Sequence, residues 1–307
     1  MSLSAPEVDL RARISRRAGA MLDDLRRFVA IPTGPGGMAG LDELRGLMCD
    51  RLAAVGGHVR LATGVPRPEW LSEAASGEPP PTAIVTGPRP EGSKRILLSG
   101  HLDTVHPVDS GFRELTLASD GAKATGPGVV DMKGGLVIAL HAVEALAEAG
   151  VPVAWSFVLN SDEETGSYAS DAALRAVAAD HDIGLALEPA MADGGLVIER
   201  PGSGQFMLEV QGRSAHVGRD FAAGISAVTA LAHRLVALSA MARPDEGVIV
   251  SVGPIDGGHA TNVVPDRVRF RLDRRIIPEE NAAAAEATLT AQIEAFARKW
   301  PGIGVTV

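Results

Sequence analysis

The sequence predicts an α/β protein with a mostly parallel sheet and flanking helices, followed by a smaller βαββαβ domain. Between residues 82 and 188, short apolar runs alternate with helical patterns, which is typical of a layered α/β sheet. From 205 to 307 the order becomes strand, helix, strand, strand, helix, strand, as in a two-layer sandwich. With 307 residues, the chain also exceeds the ~250–300 residues at which single cores usually divide. We therefore predict two domains, 1–200 and 201–307, joined by a hinge at 201–204.

The first domain begins with two amphipathic helices, because apolar residues recur at helical spacing over 9–30 and 41–55. A loop rich in Pro and Gly is predicted over 65–81. The elements that follow alternate in type. They are strands at 82–87, 95–100, 153–160 and 183–188, and helices at 133–149 and 171–179.

The second domain has a regular order of six elements, which predicts a self-contained fold. Its strands are predicted at 205–217, 248–258, 261–276 and 302–307, and its helices at 224–240 and 281–300.

Composition and charge exclude several classes of partner. The chain carries 38 acidic and 29 basic side chains, a formal net charge of −9, so nucleic acid is not an expected partner. No run reaches the ~18 uncharged apolar residues that a membrane span needs. The charged segment 1–17 lacks the apolar core of a signal peptide. The single cysteine, Cys49, lies in a helical pattern and is interpreted as a small core residue. We expect a cytoplasmic protein.

Polar residues cluster where the predicted strands end, and ligand sites of parallel sheets lie beyond these ends. In GHLDTVHP, His101 and Asp103 follow the strand at 95–100. A metal-binding histidine usually donates its second ring proton to a carboxylate, and Asp103 is placed for that role. Taken alone, the pair is also compatible with a capped strand end.

Two further acids stand at such positions. Asp131 closes the glycine-rich segment TGPGVVD and precedes the helix at 133–149. Its carboxylate either caps that helix by accepting the backbone N–H groups of the first turn, or offers its oxygens to one or two cations. Glu188 ends an apolar strand, where an uncompensated carboxylate would be unfavourable.

Three consecutive acids, Asp162, Glu163 and Glu164, follow the strand at 153–160. They either form a solvated turn, or one of them binds a metal while its neighbour acts as a base. Taken together, the four strand ends bring one histidine and five carboxylates to one face of one sheet. These residues are His101, Asp103, Asp131, Glu163, Glu164 and Glu188.

A bound divalent metal explains this cluster best, because five converging carboxylates without a cation would repel one another strongly. Imidazole nitrogen and carboxylate oxygen are ligands suited to zinc.

At these residues the chain resembles the zinc-dependent family that contains glutamate carboxypeptidase, acetylornithine deacetylase, succinyl-diaminopimelate desuccinylase and the aminoacylases. The resemblance runs from about Leu22 to Val307, through GHLDTVHP, GPGVVDMKGG, NSDEETGS, LALEP, RSAHVG and TNVVPD in family order. The GPGVVDMKGG and DEETGS forms are most similar to the glutamate carboxypeptidase branch. The resemblance implies a zinc exopeptidase-like catalytic domain, with 201–307 as a lid and dimerisation domain.

The resemblance also implies roles at the predicted metal site. His101, Asp131 and Glu188 would bind one zinc, and Asp131 would bridge to a second zinc held by Glu164, with cobalt or manganese as alternatives. Glu163 would be the general base that takes a proton from the attacking water and returns it to the leaving amine. The remaining acid, Asp103, would orient the histidine without being a ligand.

The second domain would supply contacts to the substrate. His216, in SAHVG, corresponds to a histidine that reaches the partner subunit's active site and stabilises the tetrahedral oxyanion. Asn262, in TNVVPD, and Arg275, in LDRRI, align with residues that receive the substrate's carboxylate. The adjacent Arg274 is an alternative to Arg275. A homodimer formed through this domain is expected.

One departure from the family pattern concerns the end of the chain. In the family, a segment after the lid returns to the catalytic domain and carries a histidine of the second zinc site, whereas this sequence ends at Val307. Of the remaining histidines, only His106 stands near a site in sequence. We therefore expect the first zinc site to be retained, the second to lack a ligand, and activity to be weak or absent.

The predicted reaction is hydrolysis of the amide bond of an N-acyl amino acid or short peptide with a free carboxylate. The alternative is a truncated, catalytically weak or inactive homologue that acts only as a dimerisation partner. The sequence leaves open the choice between carboxypeptidase and deacylase, and the preferred acyl group.

Overall fold

The computed structural model describes residues 3–67, 78–277 and 280–307, and the chain divides into two units, Met1–Ala190 and Met191–Val307. The predicted loop at 65–81 falls largely on 68–77, outside the described residues. Residues 187–201 form neither helix nor strand, so the predicted domain boundary at 200 falls in this connecting segment and stays a prediction.

The hinge predicted at 201–204 is wrong, because Gly202, Ser203 and Gly204 begin a strand of the second unit. Their backbone pairs with residues 274–276 in an antiparallel ladder, which fixes the conformation that a hinge would need to change.

The first unit alternates helices and strands in the predicted manner. Its helices are α1 Ala5–Arg16, α2 Ala18–Ala30, α3 Met38–Ala54, α4 Gly134–Glu148 and α5 Asp171–Ala178. Its strands are β1 His58–Ala62, β2 Thr82–Thr86, β3 Arg95–His101, β4 Thr116–Leu117, β5 Ala124–Thr125, β6 Ala154–Asn160 and β7 Ile183–Ala186.

The helix predicted over 9–30 is divided in the structure, since α1 ends before Arg17 and α2 begins after it. The Arg17 guanidinium contacts α4, where its Nη1 donates to Glu144 Oε2 at 2.8 Å. The break therefore lies where the chain is tied to a neighbouring helix, a tertiary contact that the periodicity of the segment does not reveal.

The central sheet of the first unit has the strand order β1-β2-β6-β3-β7. β3 runs parallel to both β6 and β7, whereas β2 runs antiparallel to both β1 and β6. Four strands therefore point the same way, and β2 alone is reversed. The predicted α/β class with a mostly parallel sheet is confirmed.

Apolar side chains cover both faces of this sheet. On one face α2, α3 and α4 bury Phe28, Leu44 and Leu140 against Phe157 of β6. On the other face α5 packs Leu174 and Val177 against a smaller cluster of Ile84, Leu97 and Val158. Each fully buried side chain of this size contributes roughly 1.5–3 kcal/mol, so the core holds the strand ends in fixed positions.

The second unit is a four-stranded antiparallel sheet with helices on one face. Its elements are β8 Gly202–Gln211, α6 Val217–Asp220, α7 Ala227–Ser239, β9 Val250–Gly257, β10 Arg267–Ile276, α8 Ala282–Lys299 and β11 Gly304–Thr306. The strand order is β11-β8-β10-β9. Leu231 of α7 and Leu289 of α8 pack with Phe270 of β10 in its core. Among the described residues, the helices of both units are too short or too polar to cross a membrane.

Candidate metal centre

The candidate site lies at the carboxyl edge of the first unit's sheet. His101 is the last residue of β3 and pairs with Asn160, the last residue of β6. Glu188 follows β7, the other parallel neighbour of β3. Because these strands are parallel, the polar residues after them meet at one edge, as the sequence predicts.

His101 is the centre of this arrangement, and only 2% of its surface is exposed. Its Nδ1 lies 3.0 Å from the backbone oxygen of Asp103 and 3.4 Å from Asp103 Oδ1. Its Nε2 lies 2.9 Å from Asp131 Oδ1 and 3.8 Å from Glu188 Oε1. Asp103 therefore fixes one side of the ring, and Nε2 faces the acidic cluster in the orientation that a metal ligand needs.

Asp131 lies at a kink in the turn over Val129–Lys133 that precedes α4, and its own backbone is not helical. Its carboxylate is directed to His101, and α4 has no side-chain cap, so the capping alternative is wrong. Gly128 opens this turn at φ +69°, a conformation that L side chains rarely adopt. The buried Lys133 ties the turn to the end of α2, since its Nζ donates to the Ile31 oxygen at 2.8 Å.

The three consecutive acids take different roles. Asp162 is buried, and its Oδ2 accepts the Ala169 N–H at 2.7 Å. Asp103 accepts the backbone N–H groups of Glu163 and Glu164 at 3.2 and 2.9 Å. Asp162 therefore holds its own loop, and Asp103 positions the two glutamates. The sequence pattern missed the role of Asp162, since three adjacent acids look alike until their surroundings are known.

Glycine at position 135 permits the close approach that places Glu188. A Cβ on Gly135 would lie 2.1 Å from the backbone oxygen of Leu187. The first turn of α4 can therefore rest against the chain after β7 only if this residue has no side chain.

Ligand atoms gather in two groups that share His101. One consists of His101, Asp131 and Glu164, and the other of His101, Glu163 and Glu188; within each group the atoms lie within 4.8 Å of one another. All the predicted ligands thus meet at one place. The groups differ from the predicted zinc sets, because Glu163 rather than Asp131 stands with Glu188.

The electrostatics of the cluster fit a divalent cation. Burial lowers the pKa of His101, but the carboxylates of Asp103, Glu188 and Glu163 outweigh it and raise this pKa to about 9. Burial and the nearby Asp131 charge raise the pKa of Glu164. The cluster thus draws positive charge, and one imidazole with several carboxylates is a donor set that zinc accepts.

In the second unit, two predicted substrate residues lie side by side. His216 forms a backbone bridge with Val263, and the Val217 N–H donates to the Asn262 oxygen at 2.9 Å. Both His216 and Asn262 are exposed. The ring Nδ1 of His216 accepts the Gly218 N–H at 3.1 Å, so Nε2 is left to carry the proton and can donate to a ligand.

The two adjacent arginines of β10 differ sharply. Arg274 is buried, and its Nη1 donates to Glu280 Oε2 at 2.7 Å. Arg275 has half of its side chain exposed and pairs with Asp273 at 2.9 Å. Arg274 is therefore committed to the fold, whereas Arg275 remains accessible to a ligand.

Arg275 lies far from His216 and Asn262 within the unit. It pairs with Ser203 at one end of the β8–β10 ladder, whereas Arg267 pairs with Gln211 at the other end, from which the chain leads to His216. Eight residues of strand span about 26 Å at ~3.3 Å per residue. Asn262 and Arg275 of one chain therefore cannot hold the same carboxylate.

Both units of the chain match known protein families. Residues 198–301 match the family described as peptidase dimerisation domain, and residues 83–200 match peptidase family M28. Carboxypeptidase G2 of Pseudomonas sp. (strain RS-16) is 27% identical over 201 residues, covering 64% of this chain and 48% of its own length. Succinyl-diaminopimelate desuccinylase of Erythrobacter litoralis is 28% identical over 298 residues, covering 92% of this chain and 74% of its own length.

A solved structure shares the fold. The tripeptidase of Staphylococcus aureus superposes with a TM-score of 0.70 at 20% identity, covering 93% of this chain and 74% of that one. The chain spans about half the length of carboxypeptidase G2, with 48% covered. Motifs, fold and relatives agree: the chain is similar to carboxypeptidase G2 and succinyl-diaminopimelate desuccinylase, and its second unit matches a peptidase dimerisation domain.

Proposed function

We propose that this protein is a zinc-dependent hydrolase that cleaves the amide bond of an N-acyl amino acid or short peptide with a free carboxylate. The observation that carries the proposal is the convergence of His101 with four carboxylates at one sheet edge. The relatives support the reaction class, since their names denote a carboxypeptidase and a desuccinylase. A cytoplasmic location is part of the proposal.

The residues around His101 would hold the metal. His101, Asp131 and Glu188 would hold the first ion, and Asp131 and Glu164 would hold a second. When bound, zinc would polarise the scissile carbonyl and lower the pKa of the attacking water towards about 7.

Glu163 is proposed as the general base. Its carboxylate lies within 4.8 Å of the ligand atoms of His101 and Glu188, so it can reach a water molecule at the centre of the cluster. It would take a proton from that water and deliver it to the leaving amine. Asp103 supports this role by holding the backbone of residues 163 and 164.

The second unit is proposed to complete the site across a homodimer. His216 and Asn262 lie at the opposite end of the β8–β10 ladder from Arg275. In a symmetric dimer, one chain can offer Arg275 to its own site and His216 with Asn262 to the partner's site. The match of residues 198–301 to a peptidase dimerisation domain supports this arrangement.

Metal content and turnover test the proposal together. Purified protein loaded with zinc should retain the metal after gel filtration, as measured by elemental analysis, and should hydrolyse N-acetyl or peptidyl glutamate. Protein that neither retains a divalent metal nor cleaves any member of such a panel would sink the proposal.

The variant Glu163→Gln separates the base from the ligands. If Glu163 is the base, the variant keeps its zinc while kcat falls by about 10²–10⁴-fold. Loss of zinc together with activity would instead make Glu163 a ligand, as its place beside Glu188 permits. The matched control is Glu91→Gln, an exposed glutamate in the turn before β3, which should change neither quantity.

Mixing two inactive variants tests the role of His216 in the partner's site. A heterodimer of Glu163→Gln and His216→Ala chains contains one site with both residues intact only if His216 acts across the dimer. Random exchange of subunits in such a C2 dimer should then restore about a quarter of the wild-type activity. No recovery from a verified heterodimer would place His216 in its own chain's site.

A further inference from the structure

A cleft of about 270 Å³ opens beside the metal cluster, within the first unit. Asp131 and Glu164 are among its lining residues. Its other lining residues are the loop at 104–106, the β5 strand of the β4–β5 hairpin, Gly126 and residues 128–130. The cleft therefore shares two residues with the metal cluster, and a group bound in it would lie beside that cluster.

The walls of this cleft carry unusually exposed apolar side chains. Val105 is 60% exposed and Val130 is 63% exposed, and Ala124 of β5 lies with them in the lining. Exposed apolar groups that gather in a cleft beside reactive side chains are typical of ligand sites. A hydrocarbon group placed here would gain about 25 cal/mol for each Å² of apolar surface removed from water.

The cleft is lined by acidic side chains but, among its lining residues, all of which lie in the described part of the chain, by no lysine or arginine. Its one other titratable group, His106, packs the edge of its ring against Phe112 with the ring centroids 5.0 Å apart. A second cleft of about 260 Å³ differs, since Arg60, Arg89 and Arg95 line it.

We propose that the cleft beside Asp131 and Glu164 is the acyl pocket of this protein, and that it selects uncharged acyl groups over acyl groups that carry a second carboxylate. This inference rests on the proposed hydrolase function. The groups assigned to the substrate's amino-acid carboxylate, Asn262 and Arg275, both belong to the second unit, which leaves the acyl end for the first.

The physical reason for the selection is the lack of a counter-charge. A butyryl chain in the cleft would contact Val105, Val130 and Ala124. The terminal carboxylate of a succinyl group of similar length would have to leave water beside apolar walls without a Lys or Arg partner. We expect kcat/KM for N-butyryl-glutamate to exceed that for N-succinyl-glutamate by at least tenfold, and N-benzoyl-glutamate to behave like the butyryl compound.

A charge placed in the wall should reverse the preference. Thr125 is exposed, lines the cleft and lies on β5, and it is not one of the proposed metal ligands. Thr125→Arg should lower the butyryl-to-succinyl ratio at least tenfold, mainly by improving the succinyl substrate. Its cross-strand partner Thr116 is also exposed but lies outside the lining, so Thr116→Arg is a matched control that should leave the ratio unchanged.

Binding provides a readout that does not depend on turnover. Calorimetric titration of the Glu163→Gln variant with the butyryl and succinyl compounds should give the same order of affinity, and Thr125→Arg in that background should reverse it. Equal or tighter binding of the succinyl compound, or an equal response to Thr116→Arg, would overturn the acyl-pocket assignment. Selective binding without turnover in the wild type would instead count against the hydrolase proposal alone.

Discussion

The metal edge of the first unit and the sheet of the second unit differ in how their charged residues are paired. At the carboxyl edge of the first sheet, Asp131, Glu163, Glu164 and Glu188 gather around one imidazole. In the second unit, acids and bases are matched: Glu209 accepts from both Arg267 and Arg269, and Glu280 accepts from Arg274.

This difference separates a binding site from a structural network. Matched pairs stabilise a fold without requiring a ligand. The carboxylates of the metal edge instead lie within 4.8 Å of each other in two pairs, Asp131 with Glu164 and Glu163 with Glu188, and a cation relieves their repulsion. The backbone around the first cluster is correspondingly well fixed, because the two N–H groups at 163 and 164 are bound by Asp103. A cluster of repelling carboxylates that the fold holds in place, although the repulsion destabilises it, therefore indicates a binding site.

The largest expected effect comes from removing one member of the crowded cluster. Asp131→Asn should abolish tight zinc binding and lower kcat/KM at least about a thousandfold, since a catalytic metal contributes several kcal/mol. Elemental analysis and steady-state kinetics measure both quantities. The exposed Asp109 offers the control variant Asp109→Asn, which should behave as wild type.

The Asp131→Asn substitution should also change the thermal stability of the metal-free protein, and here the expected change is a gain. Without metal, Asp131→Asn should unfold at a higher temperature than metal-free wild type, because one of the mutually repelling carboxylates is gone. If it unfolds at a lower temperature, the cluster is held together by interactions within the protein, as in the second unit, and the contrast between the units is lost.

Metal removal should destabilise the first unit. Zinc at 100 times its dissociation constant would stabilise the native state by about 2.7 kcal/mol, so chelation should lower the melting temperature measured by calorimetry. Asp131→Asn should show no such shift. A melting curve of wild type that is the same with zinc and with chelator would contradict a metal centre formed by these residues.

Much of the metal edge could be predicted from the sequence, because His101 ends β3, Glu188 follows β7 in the same mostly parallel sheet, and Asp131 lies in the turn before α4. That geometry follows from topology alone. The separate role of Asp162 could not be predicted, since it depends on a loop that returns eight residues later to donate the Ser170 N–H. The separation of Asn262 from Arg275 could not be predicted from the sequence either, because it depends on the register of β8 against β10.

A smaller effect on stability and zinc binding is expected when a side chain is added at Gly135, beside the metal edge. Gly135→Ala places a Cβ against the Leu187 oxygen, where only 2.1 Å is available, and should cost about 1–3 kcal/mol as overpacking. The displaced chain should also weaken zinc binding through Glu188. Chemical unfolding and competition with a chromophoric chelator measure the two effects.

Gly46, in α3, is the matched control for this substitution. A Cβ there would have no neighbour within 4 Å, so Gly46→Ala should stabilise the helix by about 0.5–1 kcal/mol. Loss of stability in both variants would indicate a general intolerance to alanine rather than a specific close approach at the metal edge.

The smallest expected effect concerns the matched charges of the second unit. Arg274→Met should lower the free energy of unfolding by about 1–2 kcal/mol, discounted because Glu280 keeps 25% of its side chain exposed. Arg275→Ala should leave stability within about 0.5 kcal/mol but raise KM for a substrate with a free carboxylate.

The Arg274 guanidinium lowers the pKa of Glu280 below its usual 4.5. The pair therefore stabilises the protein above that pH, and its contribution is lost as the pH falls through the lowered pKa. Urea unfolding at pH 7 and near pH 3 should show the Arg274→Met deficit shrinking in acid. A deficit that is unchanged in acid would mean that Arg274 stabilises by packing, and the matched-charge interpretation of this unit would fail.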